Sequence, residues 1–61
     1  MEDCSRVFKT WERLTEWLYT ILPQEQAQQL IQQSEQVENI YNRYIEFTTN
    51  DINYSCRVSR I

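Results

Sequence analysis

The stretch INYSCRVS, residues 52–59, alternates apolar and polar side chains without a break. Its apolar members are Ile52, Tyr54, Cys56 and Val58. Strict alternation of this kind predicts a strand with one buried face, and isoleucine, tyrosine and valine favour strands. Residues 49–51, Thr-Asn-Asp, are typical of a turn, in which Asn50 can adopt a left-handed backbone conformation. We therefore expect one strand or extended tail at 52–59.

A single strand leaves its backbone donors and acceptors without partners, and no second strand pattern is apparent in the rest of the chain. Three outcomes are open. The strand can pair with its own copy across a two-fold axis, or it can add to the sheet edge of another protein. Otherwise, the segment is a disordered tail or a short third helix.

Upstream of this segment, residues 23–48 carry small, apolar or aromatic residues at alternating spacings of three and four. They are Ala27, Leu30, Ser34, Val37, Tyr41, Tyr44 and Thr48. Spacings of three and four place these residues on one stripe of a helix. The pattern predicts a single helix over 23–48, beginning at the proline, which suits a first helical position.

Residues 3–21 repeat the same spacing. Their stripe consists of Cys4, Val7, Trp11, Leu14, Leu18 and Ile21. Asp3 is the expected N-cap, and Pro23 disfavours helical geometry at Leu22, so this first helix should end near Ile21. Arg13 and Trp17 are four residues apart on it, a spacing that permits a cation–π contact.

The predicted fold class is therefore all-α. We expect an antiparallel helical hairpin (about 3–21 and 23–48) with the C-terminal strand or tail, in a single small domain of residues 1–61. The apolar arcs are too wide for one coiled-coil seam, which favours a homodimer in the form of a four-helix bundle. The seam residues would be Val7, Trp11, Leu14, Leu18, Ile21, Leu30, Val37, Tyr41 and Tyr44.

The composition excludes most catalytic chemistry. The chain of 61 residues has no glycine and no histidine, so phosphate-binding loops, histidine-based catalytic pairs and histidine-containing metal sites are absent. Pairs of glutamates one helical turn apart are expected to be solvated. We predict no enzymatic activity, no catalytic residue, no metal and no cofactor.

Net charge and the two cysteines set the expected location. The charge is −3, and neither an apolar run long enough to span a membrane nor a secretory signal is present. We expect a cytoplasmic protein without membrane contact, in which Cys4 and Cys56 are reduced. A disulfide between them is conceivable, because the hairpin returns the chain to the end at which it begins.

The remaining hypothesis is protein–protein interaction: a small regulator, adaptor or inhibitor that occludes the surface of an unidentified partner as a homodimer. Small acidic phage-encoded inhibitors are one population with such a composition. The residues expected to contact the partner are Trp17, Ile40, Phe47, Ile52, Tyr54, Arg57 and Val58. The alternative is a dimeric DNA-binding regulator, in which two copies of the C-terminal strand form a ribbon in the major groove. The acidic charge makes nucleic acid the less favoured partner.

Overall fold

In a computed structural model, which describes residues 2–60, one strand is followed by two helices and then by two further strands. The elements are β1 (Glu2–Phe8), α1 (Trp11–Ile21), α2 (Gln24–Glu35), a short 3-10 helix (Ile40–Asn42), β2 (Tyr44–Thr49) and β3 (Ile52–Val58). The chain is thus a small α+β domain of two helices and a three-stranded mixed sheet.

The sheet has the strand order β1-β3-β2. β1 runs parallel to β3, with Glu2 beside Ile52 and Phe8 beside Val58. β2 runs antiparallel to β3, with Thr49 beside Ile52. β3 lies at the predicted position of the C-terminal strand, but both of its neighbours come from the same chain. Its two edges are therefore occupied, and a ribbon of two β3 strands cannot form.

A two-residue turn joins β2 to β3. Asn50 and Asp51 both have positive φ angles, 53° and 64°. Two successive residues in this region are characteristic of the hairpin turn whose twist matches that of the flanking strands. The left-handed conformation expected at Asn50 is present, although it closes a hairpin and does not end a helix.

Both helices pack on one face of the sheet and form the core with it. Its buried apolar residues are Leu14, Leu18, Leu22, Ala27, Ile31, Ile45, Phe47, Cys56 and Val58. Thr10 caps the N-terminus of α1, and its hydroxyl accepts a hydrogen bond from the backbone N–H of Arg13 (3.2 Å). Neither helix within residues 2–60 is long and apolar enough to cross a bilayer.

The predicted all-α fold is wrong at the N-terminus, because residues 2–8 form β1 and no helix begins at Asp3. β1 lies at the edge of the sheet, and its core-facing positions include Arg6 beside Cys4 and Phe8. A charged residue at such a position removes the apolar alternation by which a strand is recognised. The helical spacing from Cys4 to Trp11 was therefore accidental.

The predicted helix over 23–48 is also wrong, because α2 ends at Glu35. Ile45 and Phe47 are buried and alternate with exposed residues, so this part of the chain has the period of a strand. The helical hairpin of 3–21 and 23–48, its coiled-coil seam and the dimeric four-helix bundle built from it are accordingly not formed. The break at Pro23 is correct, since α1 ends at Ile21 and α2 begins at Gln24.

Candidate functional site

One face of the sheet is covered by the helices and the other is open. The alternation of the strands places nine side chains on this open face: Asp3, Ser5 and Val7 from β1, Asn53, Ser55 and Arg57 from β3, and Tyr44, Glu46 and Thr48 from β2. The register arranges them in three rows across the sheet. The open face therefore carries polar, aromatic and charged groups on a rigid support.

Side-chain hydrogen bonds hold two of these rows. The Tyr44 hydroxyl donates to Oε2 of Glu46 (2.8 Å) and is also hydrogen-bonded to the hydroxyl of Ser55 (2.9 Å). At the far end, the Asn53 amide donates to Oδ1 of Asp3 (3.4 Å), and the Thr48 hydroxyl donates to Oδ1 of the same asparagine (3.0 Å). The bonds to Glu46 and Ser55 fix the orientation of the Tyr44 ring in the absence of a partner.

The third row is different, because its charge has no partner among the residues that the structure describes. Arg57 on the central strand has Val7 on one side and Tyr44 on the other. Val7 is 53% exposed and Tyr44 is 55% exposed. Within residues 2–60, the Arg57 side chain makes no hydrogen bond, ion pair or ring contact. An unpaired guanidinium lies between two exposed side chains, one aliphatic and one aromatic.

Two shallow depressions meet at Arg57. One, of about 260 Å³, lies between Ser5, Val7, Tyr44 and Ser55. The other, of about 250 Å³, extends toward the C-terminus and is lined by Val7, Tyr41, Arg57, Val58, Ser59 and Arg60. We call Val7, Tyr41, Tyr44, Arg57 and Arg60 the arginine patch. The Arg60 guanidinium donates to Oδ1 of Asn42 (2.8 Å), which keeps this second cation at the border of the patch.

Three aromatic residues that the sequence suggested for partner binding are instead packed against one another between sheet and helix. The Trp17 ring centroid lies 5.9 Å from that of Phe47 and 5.3 Å from that of Tyr54. The Phe47 and Tyr54 rings stack at 5.2 Å, and Phe8 joins the cluster at 5.5 Å from Trp17. Contacts of this geometry stabilise the fold, so the cluster has a structural role.

The other suggested contact residues are divided between surface and core. Arg57 lies on the open face, Ile40 and Ile52 are half-buried, and Val58 is buried. The residues of the predicted seam are likewise dispersed: Leu14 and Leu18 are in the core, Trp11, Ile21 and Leu30 are half-buried, and Val7, Val37, Tyr41 and Tyr44 are exposed. The structure thus assembles the arginine patch from residues of both predicted groups, with Arg60 added.

Glu46 and Ser55 were missed as companions of Tyr44, because residue 44 was interpreted as part of a helix. The alternation of apolar and polar residues from Tyr44 to Thr48 is the signal that could have found them. It places residues 44, 46 and 48 on the polar face. Which residue of β3 lies beside each of them depends on the register, which the alternation does not specify.

Cys56 is not a reactive centre, and neither cysteine forms a disulfide. Both are free; Cys4 is half-buried and Cys56 is fully buried. Burial raises the pKa of the Cys56 thiol to about 11, an effect that nearby Arg6 opposes and Cys4 reinforces. A thiol with this pKa is protonated at neutral pH and is a poor nucleophile. Among residues 2–60, no group of three cysteine or acidic side chains is placed to hold a metal ion.

Comparison of the chain with protein-family models, with curated proteins and with solved structures gave no match.

Proposed function

We propose that this chain is a protein-binding module that presents the open face of its sheet to a protein partner, with Arg57 bonded to a carboxylate of that partner. The observation that carries the proposal is the exposed Arg57 guanidinium between Val7 and Tyr44, which has no partner within the described part of the chain. A protein that acts in this way needs no chemistry of its own. It regulates, adapts or inhibits by covering the surface to which it binds.

The arginine patch has the composition of an energetic centre in a protein interface. Arginine and tyrosine are enriched among the residues that contribute most to binding, whereas lysine and glutamate are depleted from interface cores. The guanidinium can form two parallel hydrogen bonds with one carboxylate. Val7 and Tyr44 flank it on both neighbouring strands, so a partner seated on them would exclude water from that ion pair.

The rigidity of the patch favours binding as well. Tyr44 is already oriented by Glu46 and Ser55, so less side-chain freedom is lost when a partner covers it. Of the acidic residues of the open face, Asp3 lies in the row farthest from Arg57, whereas Glu46 lies in the adjacent row and accepts a hydrogen bond from Tyr44. A partner therefore needs an acidic side chain at one position and tolerates no second one near Asp3.

Site-specific photo-crosslinking in cells that express the chain tests this function. A photoreactive phenylalanine derivative is placed at Val7 on the open face, and in the matched control at Tyr19, which is 45% exposed on α1. We expect one defined adduct with a second protein from position 7 and none of that mass from position 19. A product of two copies of this chain is recognised by its mass.

The role of Arg57 is tested in the same assay. Arg57→Glu should abolish the adduct from position 7, because it places a negative charge opposite the partner's carboxylate. Arg13→Glu makes the same charge change on the helical side and should leave the adduct intact. Equal adducts from positions 7 and 19, or an adduct that survives Arg57→Glu, would contradict the proposal.

A further inference from the structure

The outer edge of β1 carries backbone groups that nothing in the described chain satisfies. The N–H of Glu2 donates to the carbonyl of Asp51 (3.3 Å), and the carbonyl of Phe8 accepts from the N–H of Ser59 (2.8 Å), so the even-numbered residues of β1 face β3. The odd-numbered residues Asp3, Ser5 and Val7 therefore direct both their N–H and C=O groups away from the sheet. No backbone hydrogen bond within residues 2–60 reaches this edge.

The other edge of the sheet is better protected. The outer edge of β2 lies beside α2, where the Ser34 hydroxyl donates to the Tyr44 carbonyl in a long hydrogen bond of 3.5 Å. Leu30 and Val37 flank the same groove. An incoming strand would have to displace these side chains at β2, whereas no part of residues 2–60 covers the outer edge of β1 in this way.

β1 has only some of the features that protect edge strands. Such strands are commonly protected by proline, a bulge, charged side chains or very short length. β1 does carry charged residues, among them the inward-facing Arg6. β1 has seven residues, pairs with β3 without interruption from residue 2 to residue 8, and contains neither proline nor lysine. Such an edge is a template for another strand.

The charges along β1 indicate which strand adds to this edge. Glu2 and Asp3 lie at its beginning, and Arg6 lies near its end, followed by Lys9. Two copies of this segment in antiparallel orientation bring the acidic end of each strand to the basic end of the other. In parallel orientation, like charges would meet. The edge is therefore complementary to itself only in the antiparallel arrangement.

We propose that a second copy of this chain adds its β1 to β1 in antiparallel orientation, centred on Ser5. Ser5 then faces Ser5 of the second copy, and Asp3 faces Val7 of the second copy. These outward-facing residues form the hydrogen-bonded pairs of an antiparallel ladder, and each pair exchanges two backbone hydrogen bonds. All the unsatisfied groups of Asp3, Ser5 and Val7 are thereby paired, and the two sheets of three strands become one continuous sheet.

The symmetry of this dimer has a consequence for the open face. A two-fold axis through the Ser5 pair runs perpendicular to the sheet, so the helices of both copies lie on the same side. The two open faces join into one surface that carries two arginine patches. The dimer does not depend on the proposed function, since a single copy could still bind a partner through Arg57.

Sedimentation equilibrium with edge-blocked variants tests the dimer. The wild-type chain of 7.5 kDa should show a concentration-dependent mass approaching twice that value. Ser5→Pro removes an outward N–H at the centre of the proposed interface and should weaken self-association about tenfold or more. Thr48→Pro makes the same change at an outward position of β2 and should leave the association constant unchanged. Far-ultraviolet circular dichroism checks that both variants are folded.

Disulfide trapping provides the second measurement. In a Cys4→Ala background, Ser5→Cys should form an intermolecular disulfide under mild oxidation, because the residues of a hydrogen-bonded antiparallel pair have Cα atoms about 5.5 Å apart, within the range that a disulfide spans. Glu46→Cys on β2 should form no intermolecular disulfide, because this position lies away from the β1 interface. A wild-type chain that is monomeric at several hundred micromolar overturns the proposal, as does a dimer that forms disulfides at position 46 and not at position 5. If Ser5→Pro fails to fold, the disulfide-trapping result decides whether the β1 dimer forms.

Discussion

The guanidinium carbon of Arg6 lies 5.0 Å from the centroid of the Trp17 ring. It also lies 5.8 Å from the centroid of Phe8, so the cation sits against two members of the aromatic cluster. Arg6 is on the core-facing side of β1, at the edge of the sheet, and Trp17 is on α1. The contact therefore connects an edge strand to the helical layer.

The stability of the fold should depend on this contact. Arg6→Ala is expected to lower the free energy of unfolding by about 0.5–2 kcal/mol, the range for cation–π pairs from exposed to desolvated sites. Urea denaturation followed by tryptophan fluorescence measures it. Arg13→Ala is the matched control, because Arg13 is the partner of Trp17 that helical spacing suggested. A larger loss from Arg13→Ala than from Arg6→Ala would contradict the observed pairing.

A substitution in the turn between β2 and β3 should raise the stability of the fold. Asp51 has a φ angle of 64°, a conformation that a residue with a Cβ atom adopts at a cost. Asp51→Gly creates the asparagine-glycine pair preferred in such turns and should raise the free energy of unfolding by about 0.5–1 kcal/mol. Thermal and urea denaturation provide the value. Asn50→Ala, which places alanine at φ 53°, should lower the free energy of unfolding by about 1–2 kcal/mol. An Asp51→Gly variant that is less stable than wild type would contradict the prediction, because the aspartate side chain would then matter more than backbone strain.

Alkaline pH should destabilise the fold through Cys56. Its pKa is about 11 in the folded chain against an ordinary value of 9.0, chiefly because burial disfavours the thiolate. The Cys56 thiol keeps its proton to higher pH in the folded state than in the unfolded state. Its contribution to the free energy of unfolding is therefore fully present below pH 9 and is lost as the pH rises through 11. The slope should be smaller in Cys56→Ala, whereas Cys4→Ala should retain it. Free energies of unfolding measured from pH 7 to 11 provide the comparison, and equal slopes in wild type and Cys56→Ala would refute the assignment.

Parts of this fold were predictable from local pattern. The apolar spacing from Trp11 to Ile21 and the proline at position 23 define α1 and its end, because a helix that buries one face must repeat its apolar residues every three or four positions. The alternation in 52–59 defines β3 for the corresponding reason, since a strand buries every second side chain. Both patterns arise where one face of an element is buried and the other is solvated.

The failures also have a common physical cause. Tyr41, Tyr44 and Thr48 continue the helical spacing of α2, while Ile45 and Phe47 have the period of a strand, and both patterns are present in the same residues. Only the burial of Ile45 and Phe47 against the helices selects the strand. β1 shows only the accidental helical spacing of Cys4 and Val7, because an edge strand with Arg6 on its inner side buries too little apolar surface to leave the alternation of a strand.

The same division applies to the arginine patch. The alternation of β3 places Arg57 on the polar face of its strand, and the sequence alone indicates this. That Val7 and Tyr44 are its neighbours follows from register between segments far apart in the chain.

The sequence by itself determined the elements whose periodicity is imposed by a single buried face: α1, the break at Pro23, and β3 with its preceding turn. Tertiary structure alone decided that residues 2–8 and 44–49 are the strands on either side of β3. A strand's backbone groups must be paired, and their partners are selected by packing and register over the whole chain, so no local pattern could specify them.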